Sequence, residues 1–203
     1  MIRINELKLP LDEDEKELYR LAAKALKIGE RHIRELTICK KSVDCRKKDD
    51  IKFIFSVDVA LDIDEKRVAS KAGNRVSLSE KSVYTLPPVK RKSTLRPVIV
   101  GFGPAGMFAA LTLTEAGLSP IIIERGETVD ERTASVKSFW RTRVLNPESN
   151  VQFGEGGAGT FSDGKLTTGI KDKRCRRVFE KFCEHGAPSE IMYSATPHIS
   201  AKR

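Results

Sequence analysis

Apolar residues change period several times along the first 86 positions, and each change marks an element. Ile2, Ile4 and Leu7 in IRINELKL alternate imperfectly, which predicts a strand. Between Glu15 and Ile28, the residues Leu18, Leu21, Ala22, Ala25 and Leu26 fall on one helical face, and Gly29 supplies a stop. The stretches His32–Val43 and Ile51–Leu61 read as strands joined by the polar turn CRKKDD. Asp64–Lys71 reads as a short helix and Arg75–Leu86 as a last strand. The order β-α-β-β-α-β is that of the split β-α-β, ferredoxin-like arrangement.

A different pattern follows a break. Pro87, Pro88 and Pro97 bracket a basic, polar stretch that blocks regular pairing, so 87–96 reads as a linker between a small α+β domain, 1–86, and a second domain, 97–203. Val98–Val100 is a short apolar strand, Pro104–Ala116 a helix stopped by Gly117, and Pro120–Glu124 a second strand. Its continuous apolar run predicts a parallel strand covered on both faces. A helix at 128–143, a glycine-rich segment at 151–169 and an amphipathic helix near Cys175–Glu184 complete the chain. The fold class expected is therefore α/β, with the small α+β domain in front.

The turn after the first of these two strands carries chemistry. Gly101-Phe-Gly103-Pro104-Ala105-Gly106 is a G-x-G-x-x-G sequence. Alone the pattern is weak; here a strand precedes it, a helix follows, and the acidic Glu124 ends the second strand. Gly101 permits the turn, Gly103 lets backbone approach a pyrophosphate, and Gly106 lets the helix pack on the strand. Pro104 suits a first helical position, and Ala105 continues the turn whose free N–H groups and dipole favour phosphate. Glu124 can accept from ribose hydroxyls and argues against a 2′-phosphate, although Arg125 leaves an opening to NADP. FAD and NAD share the fingerprint, and the turn does not separate them.

Charge and cysteine content refine this picture. The net charge of +9 is uneven: 23 Lys and Arg against 16 Asp and Glu through Arg96, then 14 against 12. A basic first domain with this strand order raises nucleic-acid binding as a rival. Phe53 and Phe55, however, share a face with Ile51, Val57 and Val59, which marks that face as core rather than as a base-stacking platform. Residues Cys39, Cys45, Cys175 and Cys183 form no C-x-x-C pair and read as thiols. Cys175, Val178, Phe179, Phe182 and Cys183 make one helical face, so the last two thiols are expected in a core. No metal site is expected. A signal peptide and an apolar run of membrane-spanning length are both missing, so the expected location is cytoplasmic, off the membrane.

Within the segment NVQFGEGGAGTFSDGKLTTG, Gly154, Gly156, Gly157, Gly159 and Gly164 lie within eleven residues, interleaved with Thr160, Ser162, Asp163 and Lys165. Such a loop can turn several backbone N–H groups toward an anion, although its composition alone also suits a surface loop. Together with PVIVGFGPAGMFAALTLTEAGLSPIIIERG, it closely resembles the uncharacterised FAD-dependent dehydrogenases, a family of cytoplasmic bacterial flavoproteins. SVDCRKKDDIKFIFSVDV looks like the hairpin of that family's N-terminal α+β domain.

The resemblance implies an incomplete Rossmann-like, FAD-binding unit. In it Gly101, Gly103 and Gly106 meet the pyrophosphate, Glu124 meets the ribose, and the loop Gly156–Lys165 runs along the pyrophosphate toward the flavin. Asp163 and Lys165 would lie near the ring, mainly as support for the loop. The resemblance leaves NAD(P)H open as electron donor, a small-molecule substrate unassigned and no catalytic residue identified. Members of the family continue past the ATPHI segment, so the chain is expected to be an N-terminal portion that associates with a further portion and is inactive alone.

Overall fold

The computed structural model describes residues 1–80, 83–90, 93–170 and 172–199. The chain divides into two units: one comprises Met1–Val83 and Leu166–Pro197, the other Tyr84–Lys165 with the terminal segment from His198. The expected linker falls at the start of the second, with Arg91 and Lys92 outside the described residues. The segment 166–197, expected with the second domain, groups instead with the first unit.

The first unit contains β1 (Ile2–Pro10), α1 (Glu17–Leu26), β2 (Ile33–Asp44), β3 (Lys52–Leu61), α2 (Glu65–Lys71) and β4 (Val76–Leu78). Its sheet has the order β2-β3-β1-β4 with every pairing antiparallel. β1 and β2, joined through α1, therefore flank β3, while β3 and β4, joined through α2, flank β1.

The imperfect alternation in β1 has a structural cause. Its register against β3 shifts between Ile4 and Leu7, where Glu6 adopts a left-handed φ of 59°. The extra residue flips the side-chain parity, so Leu7 and Leu9 return to the face that holds Ile2 and Ile4. That face packs on Leu18, Ala22 and Leu26 of α1 and on Phe55, Val57 and Val59 of β3. α1 ends at Leu26 with Lys27, not a glycine, in the left-handed cap position; its N–H donates to the carbonyls of Ala23 and Lys24.

On the other face of the sheet, Asp58 is only 8% exposed and accepts two hydrogen bonds from Arg3, at 2.8 and 2.7 Å. Burial pushes the Asp58 carboxyl up, but the Arg3 guanidinium and its neighbours outweigh it and hold the group below the usual range. The outer edge of β2 is closed by the chain's later segment: Lys41 N–H donates to Tyr193 O at 2.7 Å and Ala195 N–H to Lys41 O at 2.9 Å.

Two expectations about this unit are corrected. The last strand is three residues long, not twelve. β4 pairs with Ile2–Ile4, and Ser79 N–H donates to Met1 O just beyond it. The thiols of Cys175 and Cys183 are half-buried rather than core. Their helix, α5 (Lys173–Glu184), packs chiefly on the short turn Ser189–Met192, which covers only part of its apolar stripe.

The second unit holds β5 (Val98–Val100), α3 (Pro104–Glu115), β6 (Ile121–Ile123) and α4 (Val129–Thr142). β5 and β6 run parallel, with Val98 opposite Ile121 and Val100 opposite Ile123. The strands are not covered on both faces as their composition predicts. Val100 is 83% exposed, and Val98 and Ile121–Ile123 are exposed too. Among the described elements α3 alone packs appreciably on this pair, and α3 buries no residue completely. Among the described residues, no helix is long and apolar enough to cross a membrane.

Two outcomes follow for the first unit. Phe55→Ala should lower its stability by about 3–5 kcal/mol in urea unfolding, because the ring is fully buried in the centre of the sheet. A depressed carboxyl pKa stabilises fully above the unfolded value, and that contribution is lost as pH falls through the folded value. The urea midpoint of this unit should therefore drop as pH falls below about 4, and Asp58→Asn should flatten that dependence.

Candidate functional site

β5 delivers the chain into the turn at Gly101, whose φ of 95° suits glycine and whose N–H donates to Ile123 O at 2.7 Å. Gly103 then caps α3 with ordinary extended dihedrals, and Pro104 takes the first helical position. The first N–H groups of α3 have no intrahelical acceptor, and the dipole makes that end positive.

The glycines of the turn differ in what demands them. A Cβ on Gly106 would lie 2.0 Å from the Gly101 carbonyl oxygen and 3.5 Å from the Ile99 side chain. The packing of helix against strand end therefore requires glycine there. A Cβ on Gly103 would meet only the Gly157 Cα, at an ordinary 3.7 Å. The packing around Gly103 therefore does not require glycine in the way that Gly106 does.

Glu124, directly after β6, reaches across the turn. One carboxylate oxygen accepts from Gly126 N–H at 2.8 Å and the other from Phe102 N–H. The two amides hold the carboxyl below its ordinary range. Each oxygen keeps a further lone pair, so Glu124 can still receive a hydroxyl donor.

The glycine loop comes to the same place. Gly156 N–H donates to Phe102 O at 2.9 Å, and a Cβ on Gly157 would sit 3.2 Å from Gly103 Cα and 3.1 Å from Pro104 Cδ. Gly101, Gly103, Pro104, Ala105, Gly106, Glu124, Gly156 and Gly157 thus form one cluster built from two backbones in contact.

The other candidates have other neighbours. Arg125 stacks over the Phe153 ring, 4.2 Å from its centroid, and donates to Pro147 O at 3.4 Å. Thr160 donates from its hydroxyl to Glu155 O at 3.4 Å, and Ser162 Oγ accepts from Gly164 N–H at 3.2 Å. Asp163 and Lys165 pair with each other at 2.8 Å in solvent, and Gly159 faces open space. Lys165 lowers the Asp163 pKa and Asp163 raises that of Lys165, as an exposed ion pair does.

One residue of this site escaped the sequence reading. Arg132, on the first turn of α4, is 0% exposed. Its Nη1 donates to Glu155 O and, at 3.1 Å, to Gly157 O; Nη2 reaches Asn150 O at 3.4 Å and Val151 O at 3.5 Å. Gly154 lies against it so closely that a Cβ there would be 2.4 Å from Arg132 Cδ. The available signal was positional: Arg132 stands four residues before the buried Val136, on the stripe of α4 that should be apolar.

Residues 96–141 match the FAD binding domain family. Residues 1–60 match a domain of unknown function. An "Uncharacterized protein" of Clostridium beijerinckii is 48% identical over 200 residues, which cover 98% of this chain and 37% of that protein. A "Dual trans-enoyl reductase/FAD-dependent monooxygenase tazHJ" of Aspergillus terreus is 40% identical over 65 residues, covering 30% of this chain and 9% of that protein. The chain thus spans little more than a third of the longer-matching relative. The turn, Glu124 and Arg132 all lie inside the matched FAD binding segment. The glycine loop lies beyond it.

Gly106→Ala should destabilise the second unit by about 1–3 kcal/mol, since the added methyl forces helix and strand apart. Amide hydrogen exchange should speed up along α3 while the sheet of the first unit stays protected.

Proposed function

We propose that the cluster formed by the turn and the glycine loop binds the ADP half of FAD, and that the chain serves as the cofactor-binding part of a flavin-dependent oxidoreductase. The carrying observation is the contrast between the two glycines: a Cβ on Gly106 would collide with the Gly101 carbonyl, while one on Gly103, at the N-terminus of α3, would make only an ordinary contact with Gly157 Cα. A backbone left bare where the first helical amides emerge is what a pyrophosphate needs. The match to the FAD binding domain family supports the same ligand, and the relative named as an FAD-dependent monooxygenase supports oxidoreductase chemistry.

The residues present fit that ligand. Pro104, Ala105 and Gly106 begin the helix whose amides would face the phosphates. Glu124 would take the ribose hydroxyls on its remaining lone pairs, in keeping with FAD or NAD rather than a 2′-phosphate. Gly156 and Gly157 bring the loop beside the turn, and Gly159, Thr160, Ser162, Asp163 and Lys165 would follow the cofactor away from it. Arg125, already stacked on Phe153, would flank the adenosine. Bound flavin supplies the redox chemistry, while these residues bind and orient it. The family resemblance of the loop sequence favours the uncharacterised FAD-dependent dehydrogenases and leaves NAD(P)H open as electron donor.

Titration of the purified chain with FAD, followed by flavin fluorescence, tests the reading. Saturable binding is expected, with FAD preferred over NAD. Gly103→Val should weaken it strongly, because the side chain would stand where the backbone must approach the pyrophosphate, with the urea unfolding of both units retained. Equal affinity in the wild-type and Gly103→Val chains would overturn the proposal.

A further inference from the structure

Among the described residues the buried guanidinium of Arg132 hydrogen-bonds to no carboxylate, and that is costly. Its hydrogen-bond acceptors are neutral: the carbonyls of Glu155, Gly157, Asn150 and Val151, with Thr160 Oγ1 at 3.5 Å. Its Nε is buried with no hydrogen-bond partner among the described residues. Glu124, Glu127 and Glu155 act on the charge through space, yet each carboxylate is engaged elsewhere. Glu124 holds Phe102 N–H and Gly126 N–H, Glu127 holds the hydroxyls of Ser135 and Ser149, and Glu155 holds Val129 N–H. Burial accordingly lowers the Arg132 pKa. A buried cation without a paired anion loses its hydration without a matching Coulombic return, and a neutral donor would satisfy loop carbonyls at less cost.

The charge makes sense if an anion binds on the other side of the loop. A trans peptide points its C=O and N–H in opposite directions. With Gly157 O held by Arg132, the Ala158 N–H points away from the guanidinium. Gly157 itself lies against Gly103 and Pro104, where the turn's helix begins. The cation and the peptide dipoles it orders therefore act in the same sense, making the outer side of the loop attractive to negative charge. We infer that Arg132 is the positioning residue for a diphosphate: it fixes the carbonyls of the glycine loop inward and supplies, from behind the loop, the positive charge that the turn alone lacks. The inference rests on the nucleotide reading of this site but assigns a role to a residue that touches no ligand.

Discrimination between ligands with and without the diphosphate tests it. In the full chain, ADP and adenosine are measured by displacement of bound FAD, for wild type, Arg132→Gln and Arg132→Lys. The wild type should prefer ADP. Arg132→Gln, which keeps donors and loses charge, should weaken ADP by about tenfold or more and leave adenosine unchanged, while amide exchange across 155–160 rises. Arg132→Lys, which keeps charge and loses the planar fork, should fall between. Equal weakening of ADP and adenosine in Arg132→Gln would show a purely structural residue and overturn the inference, as would unchanged ADP affinity. Should Arg132→Gln fail to fold, Arg132→Lys decides alone: a selective loss for ADP supports the role and an equal loss for both ligands overturns it. A wild type that binds FAD but does not prefer ADP overturns the inference and spares the site. A wild type that binds no FAD overturns both.

Discussion

Backbones lie close against each other in the second unit because Gly106, Gly126 and Gly157 carry no side chain where a Cβ would crowd the neighbouring chain. Gly157 rests on Gly103 and Pro104, Gly126 crosses Gly154, and Gly106 sits on the Gly101 carbonyl. Each crossing replaces a side-chain contact with a peptide contact, and peptides bring N–H and C=O groups that need partners. The partners are supplied locally: Phe102 gives its N–H to Glu124 and its carbonyl to Gly156. Arg132 collects carbonyls from the far side of the loop. The site is thus a layer of polar backbone held between a carboxylate and a guanidinium.

The two units have opposite physical characters. The first is an ordinary hydrophobic fold: a sheet whose apolar face is kept continuous through the bulge at Glu6 and buried under α1. Its basic turn at 45–50 is exposed, and its aromatic pair is used for packing: Phe55 is fully buried and Phe53 stacks edge-on against it at 6.1 Å. The second unit draws its order from hydrogen bonds and close backbone approach, while the Val and Ile residues of β5 and β6 stay open to solvent.

Much of this was legible in the sequence wherever one residue type has one physical reason. The helices α1, α3 and α4 stand within two or three residues of their expected positions, with Pro104 opening α3 and Gly117 following it as the sequence indicated. The turn was legible because tight bends and close approaches tolerate so few residues. The length of β4 was not, because a strand's extent depends on its neighbour's free edge rather than on its own composition. Burial of β5 and β6 was misjudged for a related reason: apolar composition states what a strand can bury, not whether a second layer covers it. Arg132 was missed since an arginine in a helix ordinarily points to water, and only the three-dimensional course of residues 150–157 shows what surrounds it.

The bond from Glu124 to Phe102 N–H also bears on how such a site could change its cofactor. Dinucleotide sites alter their preference for a 2′-phosphate by exchanging the acidic residue after the second strand. Here that carboxylate is also the clasp that ties the end of β6 to the Gly101–Gly103 turn. An exchange to a neutral or basic residue would release a backbone amide in the turn at the same moment as it admitted the new phosphate. The route from one cofactor to the other therefore passes through a loosened turn, and a second substitution that recaptures Phe102 N–H would have to come first.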